Sequence, residues 1–546
     1  MSLRCRVPLL VAGVAMALSR EASSKLVVSN TAAPSFCGSA NGTAEVTTGR
    51  AADFLQFDTS RWMFALIRCV HNGERQFCYG PTEDAKFYRG YCLNASCILD
   101  SATHPPETFT CCLYGLRLLA IVWTIVGHSY NAQLSFVGNH GEFVASLRDP
   151  VLSQAITSFT LAVDAFFLFS GCLTAYSWFR AHRGSNAQKL RRSSFWFRFY
   201  RHRIVRLWPA YAFVTWLAIT LLPYGHRHRQ WPPFDPAVQC AEGWGWLKSL
   251  LLLNTLFPTR CMYPWSWFLA NDLLYYCLSP ILLVPALLWP SFLFVGGAAV
   301  CFVSVVARWM VMTAGNYPPY PLLYFTPSQF SNMTMDAYDH LYTAPHTRVG
   351  SYVVGLMLGL LLVDSKRLTE VVKDLERPLR SLLWLASCGA ALWCVFGVYP
   401  ALQDWPWPIY HRVYGAVHRI VFAVTCAWLV LACHTGWGGK LNEWLSWRWL
   451  APLSGLVYGT YLVHFFAIAA VDLWLPFPHR WDGHGKQFGL VALQTLLTLP
   501  VAAALMFGVE MPVLQLEKLL WRKRRCVAAK PVEAVTGELP PAASLA

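Results

Sequence analysis

In the run GLRLLAIVWTIVGHS, Arg117 and His128 stand with ten residues between them inside an otherwise apolar stretch. At about 100° per residue, eleven helical steps return almost to the starting direction, so the two side chains share one helix face about 16 Å apart. A neutral imidazole, with an ordinary pKa near neutrality, is a suitable proton acceptor for a hydroxyl nucleophile. The spacing therefore suits a long anionic ligand held by its charged end at Arg117 while its reactive end reaches His128. The structural alternative is a histidine bonded to a neighbouring helix and an arginine that snorkels to the interface.

Further along, VDAFFLFSG places Asp164 and Ser170 in apolar surroundings, where an aspartate either orients the histidine or pairs with an arginine. The segment RFYRHRIVRLWP then brings Arg198, Arg201, Arg203 and Arg206 together. Guanidinium forks match phosphate oxygens bidentately, which makes this cluster a candidate for nucleotide phosphates. Orientation by the positive-inside rule, or contact with lipid headgroups, is the competing account. Asp272 beside Asn271, Arg348, His464 and Glu510 are further polar groups in apolar runs, each a candidate site residue or a buried brace.

The elements that must position these groups are membrane helices. Of 546 residues, 55% are hydrophobic and only 13% are charged, against about a quarter charged in soluble domains. Runs long enough to span lie at Leu113–Leu134, Ala155–Trp178, Ile204–Leu222, Trp265–Leu288 and Ser291–Thr313. Five more lie at Val349–Val363, Ser381–Val398, Val417–Ala432, Leu453–Trp474 and Phe488–Met506. The expected fold is an all-α polytopic membrane protein of about ten transmembrane helices. Trp246–Phe257 is apolar but short, and lies between Cys240 and Cys261. If these two cysteines form a disulfide, the stretch dips into the membrane without crossing.

The net charge of +15 would suggest nucleic acid in a soluble protein. Here the basic residues gather in short runs beside apolar segments: Arg180–Arg206, Lys366–Arg380 and Lys518–Arg525. All three are expected in the cytoplasm, and no nucleic-acid partner is implied. Residues 1–22 have the pattern of a signal peptide, with Arg4 and Arg6 before the apolar stretch Val7–Leu18. Residues 23–110 carry Cys37, Cys69, Cys78, Cys92 and Cys97 beside the sequons at Asn41 and Asn94, the signature of a small disulfide-containing, glycosylated luminal region. The sequon at Asn332 falls in a loop on the same side. Ten crossings place Cys112 in the cytoplasm, whereas a signal peptide places the preceding region outside. Either a segment between Cys97 and Cys111 is missing from this sequence, or the N-terminal region is oriented differently.

Taken in order, YGLRLLAIVWTIVGHS, VDAFFLFSG, RFYRHRIVRLWPAY, WSWFLANDLLYY, PHTRVGSYVVGLMLG, YGTYLVHF and VEMPVLQLEK resemble the acyltransferase 3 family of membrane proteins, in its animal, nose resistant to fluoxetine subgroup. The resemblance covers residues 111–518, leaving 519–546 as a cytoplasmic tail. It implies transfer of an acyl group from cytoplasmic acyl-CoA, as co-substrate, to a hydroxyl of a small-molecule or lipid acceptor at or beyond the far membrane face. Arg117 and His128 match the family's Arg-x10-His pair, which implies that His128 is the catalytic base. The arginines at 198, 201, 203 and 206 match its basic motif, expected near the donor's phosphates, and Asp164 and Ser170 match its second-helix motif. No metal is required by that chemistry.

A different class of function uses the same scaffold to carry lipophilic small molecules without making bonds, since titratable groups at mid-membrane serve substrate pathways equally well. Either function places the chain in the lipid bilayer, at the plasma membrane or in an endomembrane.

Overall fold

The computed structural model describes residues 112–182, 190–225, 240, 244–259, 266–320, 326–331, 337–364, 370, 377–476 and 478–528. The signal segment, the luminal cysteines, Asn41, Asn94, Asn332, Cys261 and the junction between Cys97 and Cys111 lie outside them. Cys240 lies within them and is buried.

The chain is an all-α integral membrane protein. Its long helices are α1 (Cys112–Gln133), α2 (Leu161–His182), α3 (Ser193–Gly225), α4 (Trp267–Leu278) and α5 (Pro290–Gly315). Then come α6 (Pro345–Val363), α7 (Arg377–Phe396), α8 (Pro408–His434), α9 (Val457–Trp474) and α10 (His484–Leu505). Nine helical stretches among the described residues are long and apolar enough to cross a bilayer. The tenth expected span, Ile204–Leu222, is the second half of α3, a 33-residue helix whose first half carries the basic cluster. Trp246–Phe257 contains only the six-residue helix Gly245–Leu250 before the chain turns, too short to cross.

Two spans run further than hydropathy indicates. The sixth begins at a π-helical turn, Tyr338–Thr343, ahead of α6, because Thr347 and Arg348 are accommodated inside the bundle despite their polarity. The last continues past α10 through a π-helical turn at Met506–Glu510 into Met511–Ala528.

Burial separates central from peripheral helices. In the apolar window that holds α2, 72% of residues are buried, against 11% in the window that holds α7. The α2 helix is therefore apolar on all sides, as a helix enclosed by others must be, whereas α7 turns Leu382, Leu385 and Leu392 outward to lipid.

The closest packing is between α2 and α6. A Cβ added at Gly171 would strike the Tyr352 carbonyl, and one added at Gly355 or Gly359 would strike the carbonyls of Leu168 or Cys172. The Gly355-xxx-Gly359 pair thus lets the two backbones meet, as small residues do between membrane helices. Because backbone cannot swing aside, Gly355→Ala is expected to destabilise the protein by about 1–3 kcal/mol. Gly489→Ala, where an added Cβ meets nothing within 4 Å, serves as the comparison. Unfolding of both variants in detergent, followed by temperature, is the measurement.

Candidate active site

The α1 helix carries Arg117 and His128 as its spacing predicts, and α9 brings His464 against it. His128 Nδ1 and His464 Nε2 are 2.7 Å apart, with the rings nearly parallel at 12°. His464 Nδ1 lies 2.8 Å from the carbonyl of Tyr461. A carbonyl only accepts, so in neutral His464 the proton sits on Nδ1 and Nε2 is the acceptor. His128 then donates from its own Nδ1, which leaves the Nε2 lone pair of His128 without a hydrogen bond among the described residues. This is the tautomer a general base requires, and it is fixed by a partner on another helix.

Aromatic walls hold the ring in place. Phe159 meets His128 edge-on at 5.2 Å and Phe465 lies 5.2 Å away on another side. Gly127 makes room for this, since a Cβ there would overlap the Phe159 ring.

Polar groups collect near the α9–α10 connection. Gln133 donates to Asp472 at 3.2 Å and also bonds His479, while Gln487 donates to Ser129, the residue after His128, at 2.9 Å. Tyr130 bonds His484 at 2.9 Å. Burial, with the nearby Lys486 charge, holds His479 below the usual histidine range. Its Nε2 bonds the amide oxygen of Gln133.

The arginines divide into two sets. Arg201 donates twice to Glu517, at 3.1 and 3.2 Å, and His202 lies 3.5 Å from the same carboxylate. Arg203 is ion-paired with Asp272, donates to Ser170 at 2.8 Å and stacks 4.9 Å over Tyr276. Arg117, Arg198 and Arg206 make no ion pair among the described residues. Arg198 and Arg206 are exposed, and Arg117 lies within electrostatic reach of both Arg206 and Arg203. Glu510, half-buried in the last π-helical turn, is within electrostatic reach of Arg206.

Asp164 does not meet His128. Its carboxylate accepts from Arg348 at 2.9 Å, from Arg419 at 3.1 Å and from Ser351 at 3.0 Å. Of the two tasks that its sequence setting allows, pairing with arginine is the one the fold brings about. The network contains residues that sequence reasoning passed over, Arg308 and Arg419 among them. The signal was present, since both sit in expected spans where an arginine is costly. Among the described residues, no three His, Cys, Asp or Glu side chains come together in a way that would hold a metal ion.

A family model for an acyltransferase domain matches residues 112–513. Over 452 residues the chain is 27% identical to nose resistant to fluoxetine protein 6 of Caenorhabditis elegans, covering 79% of this chain and 54% of that protein. Over 415 residues it is 25% identical to regulator of hypoxia-inducible factor 1 of the same organism, covering 72% of this chain and 75% of the relative. The chain thus spans about half the length of the first of these relatives. No solved structure matches the chain.

Proposed function

The chain belongs to the acyltransferase 3 family, whose domain occupies residues 112–513, and from that premise we propose that it moves an acyl group from cytoplasmic acyl-CoA to a hydroxyl acceptor at the membrane or its far side. The observation that carries this reading is the tautomer-fixed His128, whose free Nε2 shares a helix face with the unpaired Arg117. In the proposed step the acceptor hydroxyl gives its proton to His128 Nε2 as its oxygen attacks the thioester carbonyl carbon. The C–S bond then breaks, and the coenzyme A sulfur leaves with the proton from His128. Arg117, Arg198 and Arg206 hold the donor's phosphates, and the roughly 16 Å rise from Arg117 to His128 is spanned by the donor's flexible arm.

Carriage of lipophilic molecules without bond formation is the second reading, favoured by the polar groups gathered beside His128. Purified full-length chain in detergent, given acyl-CoA with and without candidate alcohols, separates the two. Thioester consumption that rises with an acceptor supports transfer. No consumption with any acceptor, alongside retained binding of lipophilic ligands, leaves carriage.

The division among the arginines gives a sharper expectation. Arg117→Gln and Arg206→Gln should each raise KM for acyl-CoA by roughly ten- to a hundredfold, the worth of one hydrogen bond to a charged group, with kcat little changed. Arg201→Gln should leave KM nearly unchanged and lower thermal stability instead, because its fork is committed to Glu517. Steady-state kinetics on the three variants decide the matter.

A further inference from the structure

Three arginines from three helices converge on one carboxylate inside the bundle. Arg308 of α5, Arg348 of α6 and Arg419 of α8 are 2%, 1% and 2% exposed, and Asp164 of α2 is fully buried. Arg348 and Arg419 donate to Asp164. Arg308 does not; its Nε and Nη2 donate to the Gly415 carbonyl at 2.9 and 2.6 Å, within electrostatic reach of Arg348 and Asp164. No second carboxylate bonds any of the three among the described residues. Asp272 is engaged by Arg203, and Asp472 accepts from Gln133.

Charge and hydrogen bonding are therefore both incomplete. Three guanidinium groups against one carboxylate leave an excess of two positive charges where water is scarce, and each uncompensated buried charge costs several kcal/mol. Stacking of Arg348 over Trp267 and Tyr342, at 4.9 and 4.6 Å, offsets part of this. Each arginine also keeps a buried N–H group without an acceptor: Nη1 of Arg308, Nη2 of Arg348 and Nε of Arg419. A buried donor left unpaired keeps its full desolvation penalty, and more so when charged. One further anion would lower both costs at once.

We propose that this cluster is a binding site for a small monovalent anion, a halide or a carboxylate, held by Arg308, Arg348 and Arg419. The buried Tyr342 ring lies against both Arg348 and Arg419, at 4.6 and 5.9 Å, and the buried Tyr320 and Tyr414 are within electrostatic reach of Arg308, which favours a small ion over a phosphate ester. The site is separate from the exposed Arg198 and Arg206 and stands whether or not the chain transfers acyl groups. It adjoins the histidine pair along the chain, because Phe159, which packs on His128, precedes Thr160, whose hydroxyl bonds Tyr320.

The test is thermal unfolding of the purified full-length chain in detergent. Chloride, bromide or acetate replaces sulfate stepwise at constant ionic strength. The expected result is a saturable rise in Tm with at least one of the three. A response to halide alone identifies an inorganic ion, and a response to acetate alone identifies the carboxylate of an organic solute. Arg308→Gln should raise the half-saturating concentration at least tenfold. Arg308→Lys, which keeps the charge but loses the fork, should raise it at least threefold and serves if the glutamine variant does not fold. No saturable response to any of the three anions overturns the proposal, as does an unchanged half-saturation in whichever of the variants folds.

Discussion

Replacing His128 by alanine is expected to lower acyl transfer by about 10²–10⁴-fold, the usual contribution of a positioned general base, while expression and membrane insertion stay normal. The structure adds a condition on His464. In the proposed mechanism this residue, bonded to His128, is a positioning residue that accepts the Nδ1 proton of the base. His464→Ala should cost less than the loss of His128, and His464→Gln should recover part of the rate, since an amide oxygen also accepts. A merely structural histidine would not show that rescue. Joining the two alanine substitutions should cost no more than His128→Ala alone, because residues acting as one unit are not additive. Normal transfer by His128→Ala would remove the assignment altogether. Single-turnover measurements at saturating donor separate the chemical step from binding.

The largest effect on stability is expected at Asp164. Asp164→Asn leaves Arg348 and Arg419 buried without their carboxylate, and breaking a buried pair from one side costs about 3–5 kcal/mol. The variant should be recovered poorly from detergent and unfold well below the wild-type Tm. Adding Arg348→Met removes one of the uncompensated charges and should restore part of the loss, so that the double variant is more stable than Asp164→Asn alone. If Asp164→Asn were as stable as wild type, the carboxylate would not hold this network together. Size-exclusion recovery and thermal unfolding read both outcomes. Stability also separates Asp164 from Asp272. Asp272 pairs with the half-buried Arg203 at 6% side-chain exposure, where solvent reaches the partner, and its loss should cost less.

Helices were legible because crossing a membrane demands long apolar runs, and the α1 spacing was legible because a helix repeats every 3.6 residues. The sequence could not say which arginines remain unpaired. Arg201 and Arg203 sit two residues apart in one basic run, yet their carboxylates, Glu517 and Asp272, come from distant positions in the chain. The same holds for Asp164, whose choice between His128 and an arginine depends on how α2, α6 and α8 pack. His464 was legible as a polar group at mid-membrane, but its bond to His128 spans 336 residues of sequence. The extension of the sixth span to Tyr338 escaped hydropathy because Asp339, His340, His346 and Arg348 lower the average. Arg308 and Arg419 fell inside apolar windows that the two charges did not outweigh.

The glycine contacts between α2 and α6 have a mechanical consequence. Where carbonyls fill the space that side chains would occupy, one helix cannot slide along the other without a collision of backbones. The wall that carries Asp164, Ser351 and Arg348 is thus the stator of the bundle. Under the proposed function, an opening toward His128 is expected on the side where His464 rides on α9 and α10 packs beside it. Motion there would also stretch the histidine pair, so that access to the base and orientation of the base change together.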